Sequence, residues 1–219
     1  MNWWVANLYQ SDQIVALVSW IFWVIFSICL HELAHGWAAL WQGDDTPRRL
    51  GHMTMNPMVH MGGWSLLMFA LVGIAWGAMP VDPSRFRWRR KGRVVVAGAG
   101  PALNLGLAFI TLTCAALWAR YGSHEEPLAA NVSVFLITGG WLNLVLALFN
   151  LLPIPPLDGS NILMGFSFGY YRLMQSEKTR MIGMLILIAV FFSGVGILMF
   201  RAAIHVSTAY IDLLLEILP

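Results

Sequence analysis

The stretch FSICLHELAHGWAALWQ, residues 26–42, places two histidines and a glutamate at the end of a long apolar run. Ionisable side chains are costly in hydrocarbon, and within a membrane segment they mark a functional site by default. The whole chain is 58% hydrophobic and only 11% charged, against about 25% charged residues in a soluble domain. We therefore predict an integral membrane protein whose function depends on residues 31–35.

Five apolar segments divide the 219 residues, and we interpret them as one membrane-embedded domain covering residues 1–219. A membrane helix needs about 20 apolar residues. The segments lie at about 14–41, 62–79, 93–119, 132–152 and 181–205, and a short amphipathic helix is expected in the tail that follows. The predicted fold class is an all-α bundle of about four to six membrane segments.

Basic residues predict how the segments are oriented. One cluster between the second and third segments contains Arg85, Arg87, Arg89, Arg90, Lys91 and Arg93. Beside an apolar span, such a cluster is typical of a cytoplasmic anchor rather than of a nucleic-acid site, and we expect no nucleic-acid partner. Loops 42–61, 80–93 and 160–180 are predicted to be cytoplasmic and the N-terminus external. The oligomeric state is not predicted.

The second segment, 62–79, has basic residues on both flanks and contains four glycines. A full crossing would separate two flanks that both carry cytoplasmic charge signals. We therefore predict a re-entrant or short β element after the first span, with an ordinary short span as the alternative. Segments one and four then cross in one direction, and segments three and five in the other.

The motif HELAH predicts a metal site. His31 and His35 are four residues apart, so a helix places them on one face, one turn apart. Two imidazoles at this spacing can bind one Zn²⁺, and Glu32 can act as general base on a water at the metal. A chance match on a surface helix is the alternative, and the apolar context argues against it.

A third zinc ligand is expected because catalytic zinc sites have three protein ligands and one water. Asp158 in NLLPIPPLDG, residues 150–159, is the best candidate, since the prolines prevent a regular helix and turn the chain back. The alternative is that Asp158 caps the next helix. His52 and His60 are weaker candidates, and His124 and His205 are predicted to lie on the far face.

Together these motifs resemble the site-2 protease family of intramembrane zinc metallopeptidases, in the compact branch without a PDZ domain. AGAGPALNLGLA (97–108) and MTMNPMVHMGG (53–63) also fit. The resemblance implies His31, His35 and Asp158 as zinc ligands and Glu32 as the catalytic base. It further suggests Asn150 near the reacting carbonyl, for which helix-end hydrogen bonding is the alternative. It leaves Asn104 and Asn143 as structural or substrate-binding residues.

The predicted function is therefore an intramembrane zinc endopeptidase with one Zn²⁺ per chain and a transmembrane helix as substrate. Loop 42–61 or stretch 77–83 is predicted to offer an edge for strand addition to the substrate. A metal-dependent transporter and a catalytically silent zinc scaffold are the alternatives. By analogy we expect a prokaryotic plasma membrane, with the active site toward the cytoplasm. Cys29 and Cys114 are expected to be packing residues without a disulfide.

Overall fold

The computed structural model of this chain describes residues 14–219, except for the side chains of residues 191 and 192. In this part of the chain every regular element is helical. The α-helices are α1 (Ile14–Trp41), α2 (Thr46–Arg49), α3 (Pro57–His60), α4 (Gly62–Val72), α5 (Arg89–Tyr121), α6 (Leu128–Asn150), α7 (Asp158–Phe166), α8 (Phe168–Met174), α9 (Glu177–Phe192) and α10 (Val195–Ile217). A 3₁₀ turn at Pro83–Arg85 lies between α4 and α5.

Four of these helices, α1, α5, α6 and α10, are long and apolar enough to cross a membrane. The predicted helical bundle is therefore confirmed, with a number of spans inside the expected range. The first predicted segment has the observed bounds, and the third and fourth differ from α5 and α6 by a few residues at each end. Uninterrupted apolar runs of this length leave little freedom for any other structure.

The fifth predicted span, 181–205, is wrong. The chain breaks there, because α9 ends at Phe192 and Gly194 adopts a left-handed backbone conformation with φ 83°. A new helix, α10, begins at Val195 and continues to Ile217 as the fourth candidate span. The tail is thus the second half of a membrane-length helix, not a separate amphipathic one. Hydropathy alone missed the break because the residues on both sides of Gly194 are apolar.

The second predicted segment contains only the 11-residue helix α4, which is about 16 Å long and too short to cross a bilayer. The described residues contain no strand, so the predicted β element is not confirmed. Both ends of the connection between α1 and α5 lie together. The Gln42 carbonyl accepts from the Arg87 N–H at 2.7 Å, and the Gln42 side chain accepts from the Trp88 N–H at 3.2 Å.

Contacts between the spans define their relative directions. The Trp23 indole donates to the Phe135 carbonyl, and further along both helices His31 and Asn143 meet at Asn104, so α1 and α6 run in the same direction. The Trp118 indole donates to the Ala129 carbonyl, which places the end of α5 beside the start of α6. Thr113 contacts Tyr210 and, further along, Arg120 donates to the Pro219 carbonyl, so α10 runs parallel to α5. The directions of α1, α5 and α6 agree with the prediction for segments one, three and four, and α10, which replaces the fifth predicted segment, runs with α5.

Small residues let the spans approach closely. Gly139 of α6 faces the Trp23 ring, and a Cβ at this position would overlap the indole. Gly140, its neighbour, faces Leu112 of α5 in the same way. Close backbone approach at small residues is the usual basis of helix packing in membranes, where lipid offers no hydrophobic force between helices. Both cysteines are free thiols, and the predicted packing role fits the buried Cys29 but is wrong for Cys114, which is exposed.

Gly139→Ala is expected to destabilise the bundle, because the added methyl group overlaps the Trp23 ring. Overpacking of this kind costs about 1–3 kcal/mol. Gly106→Ala is the matched control, since Gly106 is also helical but a Cβ there meets nothing within 4 Å. Thermal unfolding in detergent should show a lower midpoint for Gly139→Ala and an unchanged or higher one for Gly106→Ala. Equal midpoints would contradict the packing described here.

Candidate metal centre

His31 and His35 lie one turn apart on α1 and face the interior of the bundle, where both side chains are buried. Their ring centroids are 4.6 Å apart, with the rings nearly perpendicular. The two Nε2 atoms are separated by 3.0 Å. The helical spacing of the HELAH motif thus directs two imidazole nitrogens to a single point.

Asp158 brings a carboxylate to the same point. Its Oδ2 atom lies 3.0 Å from Nε2 of His31 and 3.3 Å from Nε2 of His35. Asp158 is the first residue of α7 and follows the proline-rich turn after α6, while Leu157 occupies the N-cap position. The cap interpretation of Asp158 is therefore wrong. Gly159 allows this turn, because a Cβ there would overlap the carbonyl oxygens of Leu151 and Leu152.

The hydrogen bonds on the far sides of the imidazoles determine which nitrogen carries a proton. Nδ1 of His31 lies 2.5 Å from Oδ1 of Asn104, and Nδ1 of His35 lies 2.7 Å from the Val96 carbonyl oxygen. Because both partners are acceptors, both Nδ1 atoms must donate. In neutral imidazole the Nε2 atom then carries a lone pair, and both lone pairs point toward Asp158.

Acceptor atoms therefore surround the buried point between His31, His35 and Asp158. Oδ2 of Asp158 is buried and has no hydrogen-bond donor among the described residues. Two nitrogen lone pairs and a carboxylate oxygen repel one another at these distances unless a proton or a metal cation lies between them. All three ligand atoms lie within 4.8 Å of one another, and N, N, O is a typical donor set for catalytic zinc. The residues fit a zinc ion.

Asn104 and Asn143 form a chain of hydrogen bonds behind His31. Nδ2 of Asn104 donates to Oδ1 of Asn143 at 2.8 Å, and Nδ2 of Asn143 donates to the Gly139 carbonyl at 2.8 Å. Both asparagine side chains are completely buried. Such partners fix the tautomer and orientation of a ligating histidine. The contacts thus support a positioning role, and substrate binding by these two residues stays a prediction.

Glu32 is also buried, and the segment after α4 packs directly against it. A Cβ on Gly77 would lie 2.7 Å from Oε1 of Glu32. The Ser65 hydroxyl bonds both backbone groups of Trp76, and the Ala78 N–H donates to the His60 carbonyl. These bonds hold the segment over the candidate base.

The far end of this segment is fixed at Asp82. The Asp82 N–H donates to Oδ2 of the fully buried Asp44 at 2.7 Å. Hydrogen bonds from the Ser84 hydroxyl and backbone N–H hold the pKa of the Asp82 carboxyl below its usual range. The carboxylate is then available to pair with Arg85 at 3.2 Å. The segment is therefore anchored on both sides of Gly77.

The other predicted candidates lie outside the His31, His35 and Asp158 group. Nδ2 of Asn150 donates to the Leu146 carbonyl at 3.0 Å, the helix-end bond that was its alternative interpretation. A catalytic role for Asn150 stays a prediction. His60 is buried with Nε2 at the Thr54 carbonyl, and His52 contacts the Leu50 carbonyl. His52, His60, His124 and His205 do not join the metal-competent group of the described residues.

Sequence reasoning did not identify two glycines that shape the site, Gly100 and Gly77. A Cβ on Gly100 would lie 2.5 Å from Nε2 of both His31 and His35. Gly100 belongs to a face of small buried residues on α5 that also includes Ala97, Asn104 and Ala108. Their spacing of three and four residues is the signal that predicts a closely packed helix face. Gly77 lies outside any helix and carries no comparable signal.

This fold and site define an integral membrane protein with a buried metal-competent group formed by its first span and helix α7. The model of Peptidase family M50 matches residues 19–194, so the chain belongs to this family, the family of site-2 proteases. It is 41% identical over 144 residues to "Putative zinc metalloprotease YwhC" of Bacillus subtilis (strain 168), covering 64% of this chain and 65% of that protein.

Other relatives carry the same kind of name. "Putative zinc metalloprotease Rip2" of Mycolicibacterium smegmatis (strain ATCC 700084 / mc(2)155) is 32% identical over 159 residues, which cover 69% of this chain and 56% of that protein. The chain thus aligns with somewhat less than two thirds of the length of these curated relatives. No solved structure matches the chain. The resemblance to site-2 proteases is confirmed at the level of the family.

Asn104→Leu is expected to weaken zinc retention by about 10- to 100-fold, because His31 loses the acceptor that fixes its tautomer. Asn104→Asp keeps an acceptor and should retain most of the metal. Asn131→Leu on α6 is the control for the loss of an amide, since the Asn131 side chain has no described contact with the site. Zinc per chain is measured after competition with a chelator. Wild-type retention in Asn104→Leu would contradict the positioning role.

Proposed function

We propose that this protein is an intramembrane zinc endopeptidase that hydrolyses peptide bonds within transmembrane segments of other proteins. His31, His35 and Asp158 hold one Zn²⁺, and Glu32 is the general base. The convergence of two imidazole lone pairs and a buried carboxylate oxygen within 4.8 Å carries this proposal. Membership of Peptidase family M50 supports it.

The residues of this chain have distinct tasks in the reaction. Zinc, when bound, polarises a peptide carbonyl and acidifies water at the site. The Glu32 carboxylate takes the proton of the attacking water and delivers it to the departing amine nitrogen. Asn104 and Val96 keep the two imidazoles in the tautomer that leaves Nε2 free for the metal. Gly100 leaves room beside both Nε2 atoms for the reacting groups.

The substrate is a transmembrane helix that becomes extended at the cleavage site. We place it along residues 77–83, which overlap the end of the re-entrant element predicted at 62–79 and continue beyond it. Gly77, Met79 and Val81 make no backbone hydrogen bonds among the described residues, and alternate residues of an extended chain share one edge. Loop 42–61 is less suited to strand addition, because it contains the helices α2 and α3.

The site faces the cytoplasmic side of a prokaryotic plasma membrane in this proposal. The end of α1 lies beside the start of α5, where the basic cluster 85–93 is located. Basic residues next to a span are retained on the cytoplasmic side. Water then reaches the metal from that side, and the bilayer surrounds the remaining faces. The transporter and silent-scaffold alternatives receive no support from the family comparison.

Glu32→Gln is expected to keep zinc and to lower cleavage of a transmembrane-helix substrate by at least about 100-fold, because general base catalysis contributes about 10²–10⁴. Asp158→Ala is expected to lose both zinc and cleavage. Glu177→Gln and Asp212→Ala are the matched controls, since both side chains are exposed and neither belongs to the metal-competent group. Zinc per chain and cleavage are measured on the same detergent-purified samples.

Removal of the metal supplies a second arm of this experiment. Dialysis against a zinc chelator should abolish cleavage by the wild-type protein, and added Zn²⁺ should restore it. If Glu32→Gln cleaves as well as wild type, or if the wild type holds no metal, the endopeptidase proposal is wrong. Zinc binding without cleavage in all variants would favour the scaffold.

Gly77→Ala tests the role of the segment that covers Glu32. The added methyl group would displace this segment or the carboxylate, and misplacement by about 1 Å can cost on the order of 100-fold in rate. Zinc content should stay unchanged, because Gly77 does not contact the ligands. Gly63→Ala is the control, as a Cβ there meets nothing within 4 Å. Unchanged cleavage by Gly77→Ala would contradict a role of this segment in positioning Glu32.

A further inference from the structure

A groove of about 560 Å³ lies between the start of α5 and the end of α7, away from the metal centre. Its apolar surface comes from Trp88, Val94, Val95 and Phe166. Volumes of about 300–1,000 Å³ are typical of sites that bind small molecules. The Phe166 side chain is 73% exposed, so apolar surface remains open to an occupant here.

Two cations, Arg90 and Lys91, complete the lining of the groove, and both are exposed. Neither forms an ion pair with a carboxylate in residues 14–190 or 193–219, where the lysine and arginine pairs all belong to Arg49 and Arg85. The Arg90 guanidinium instead lies 5.7 Å above the Phe168 ring, which holds it beside the groove. The positive charge at this surface is therefore uncompensated.

The groove lies where a membrane span begins. Helix α5 starts at Arg89 and continues as one of the four candidate spans. Along α5 the two cations precede Val94 and Val95, so the charge lies nearer the start of the span than the two valines, and Trp88 lies beside the cations at the helix start. An occupant must match both parts with one anionic head and an apolar chain.

We propose that this groove binds an anionic phospholipid, with the headgroup phosphate on Arg90 and Lys91 and an acyl chain along Val94, Val95 and Phe166. A free phosphate would leave the apolar surface uncovered. A zwitterionic lipid brings its own cation close to two unpaired cations. An anionic lipid matches the charge and the apolar surface together.

The position of the groove connects the lipid to the metal centre. Helices α5 and α7 meet where Gly165 packs against Val94, and Nη1 of Arg93 donates to Oδ1 of Asn161 at 3.3 Å. Asp158 starts the same short helix α7 that ends at the groove. A lipid that contacts both helices holds α7 against α5. It should therefore raise the thermal unfolding midpoint of the protein, as any ligand of the native state does.

Full-length protein is incorporated into vesicles of equal parts phosphatidylglycerol and phosphatidylcholine, extracted and washed in detergent, and its retained lipids are quantified by mass spectrometry. Wild type should retain phosphatidylglycerol in preference to phosphatidylcholine. Removing two basic groups in the double variant Arg90→Gln with Lys91→Gln should weaken retention about 25-fold, or about fivefold for each charge. Lys178→Gln with Arg180→Gln removes the same two residue types elsewhere and should retain the lipid.

Three results would overturn the proposal. Wild type could retain the two lipids in the ratio of the vesicles, or the two double variants could lose the lipid equally, which would indicate a general effect of charge. Glycerol phosphate could compete as well as dioctanoyl phosphatidylglycerol, which would indicate an anion site without an acyl chain. Phe166→Ser is a further variant at an exposed position, and it changes no charge. It is expected to retain less lipid, so it tests the groove even if the double variant unfolds.

Discussion

The repulsion among three acceptor atoms is the constraint on which the site depends. Two imidazole nitrogens and the Asp158 carboxylate oxygen face one another in a buried position, with no donor between them. A metal cation held by all three atoms makes this arrangement favourable in a medium of low dielectric constant. The ligands for this cation come from α1 and α7. The hydrogen bonds that support these ligands come from α5 and α6. Metal binding and the packing of the bundle are therefore coupled.

Helix α5 contributes residues both to the metal centre and to the apolar groove. Its Val96 carbonyl and Asn104 amide orient the two histidines, and Gly100 leaves space beside them. The start of the same helix carries the basic residues and one wall of the apolar groove. An effect of lipid on the position of α5 would therefore act on the groups that hold the imidazoles.

The segment between α4 and α5 bears on how water and substrate enter the bundle. Peptide hydrolysis needs water and an extended substrate, and a closed bundle of apolar helices admits neither. Residues 73–82 are not helical, they lie against Glu32, and hydrogen bonds to Ser65, His60 and Asp44 anchor them. Irregular backbone of this kind is tolerated in a membrane where protein or a water-filled cavity covers it.

The sequence by itself determined the helical class, the bounds of α1 and the one-turn spacing of His31 and His35, because local hydropathy and helical periodicity suffice for these. It also selected Asp158 as the partner, since prolines and a glycine surround that carboxylate. Only the tertiary structure decided that Asn104 and Asn143 support His31, that Gly100 and Gly77 border the site, and that the last span begins after Gly194. These features depend on contacts between distant residues or on one left-handed glycine in an apolar run, and neither leaves a local pattern in the sequence.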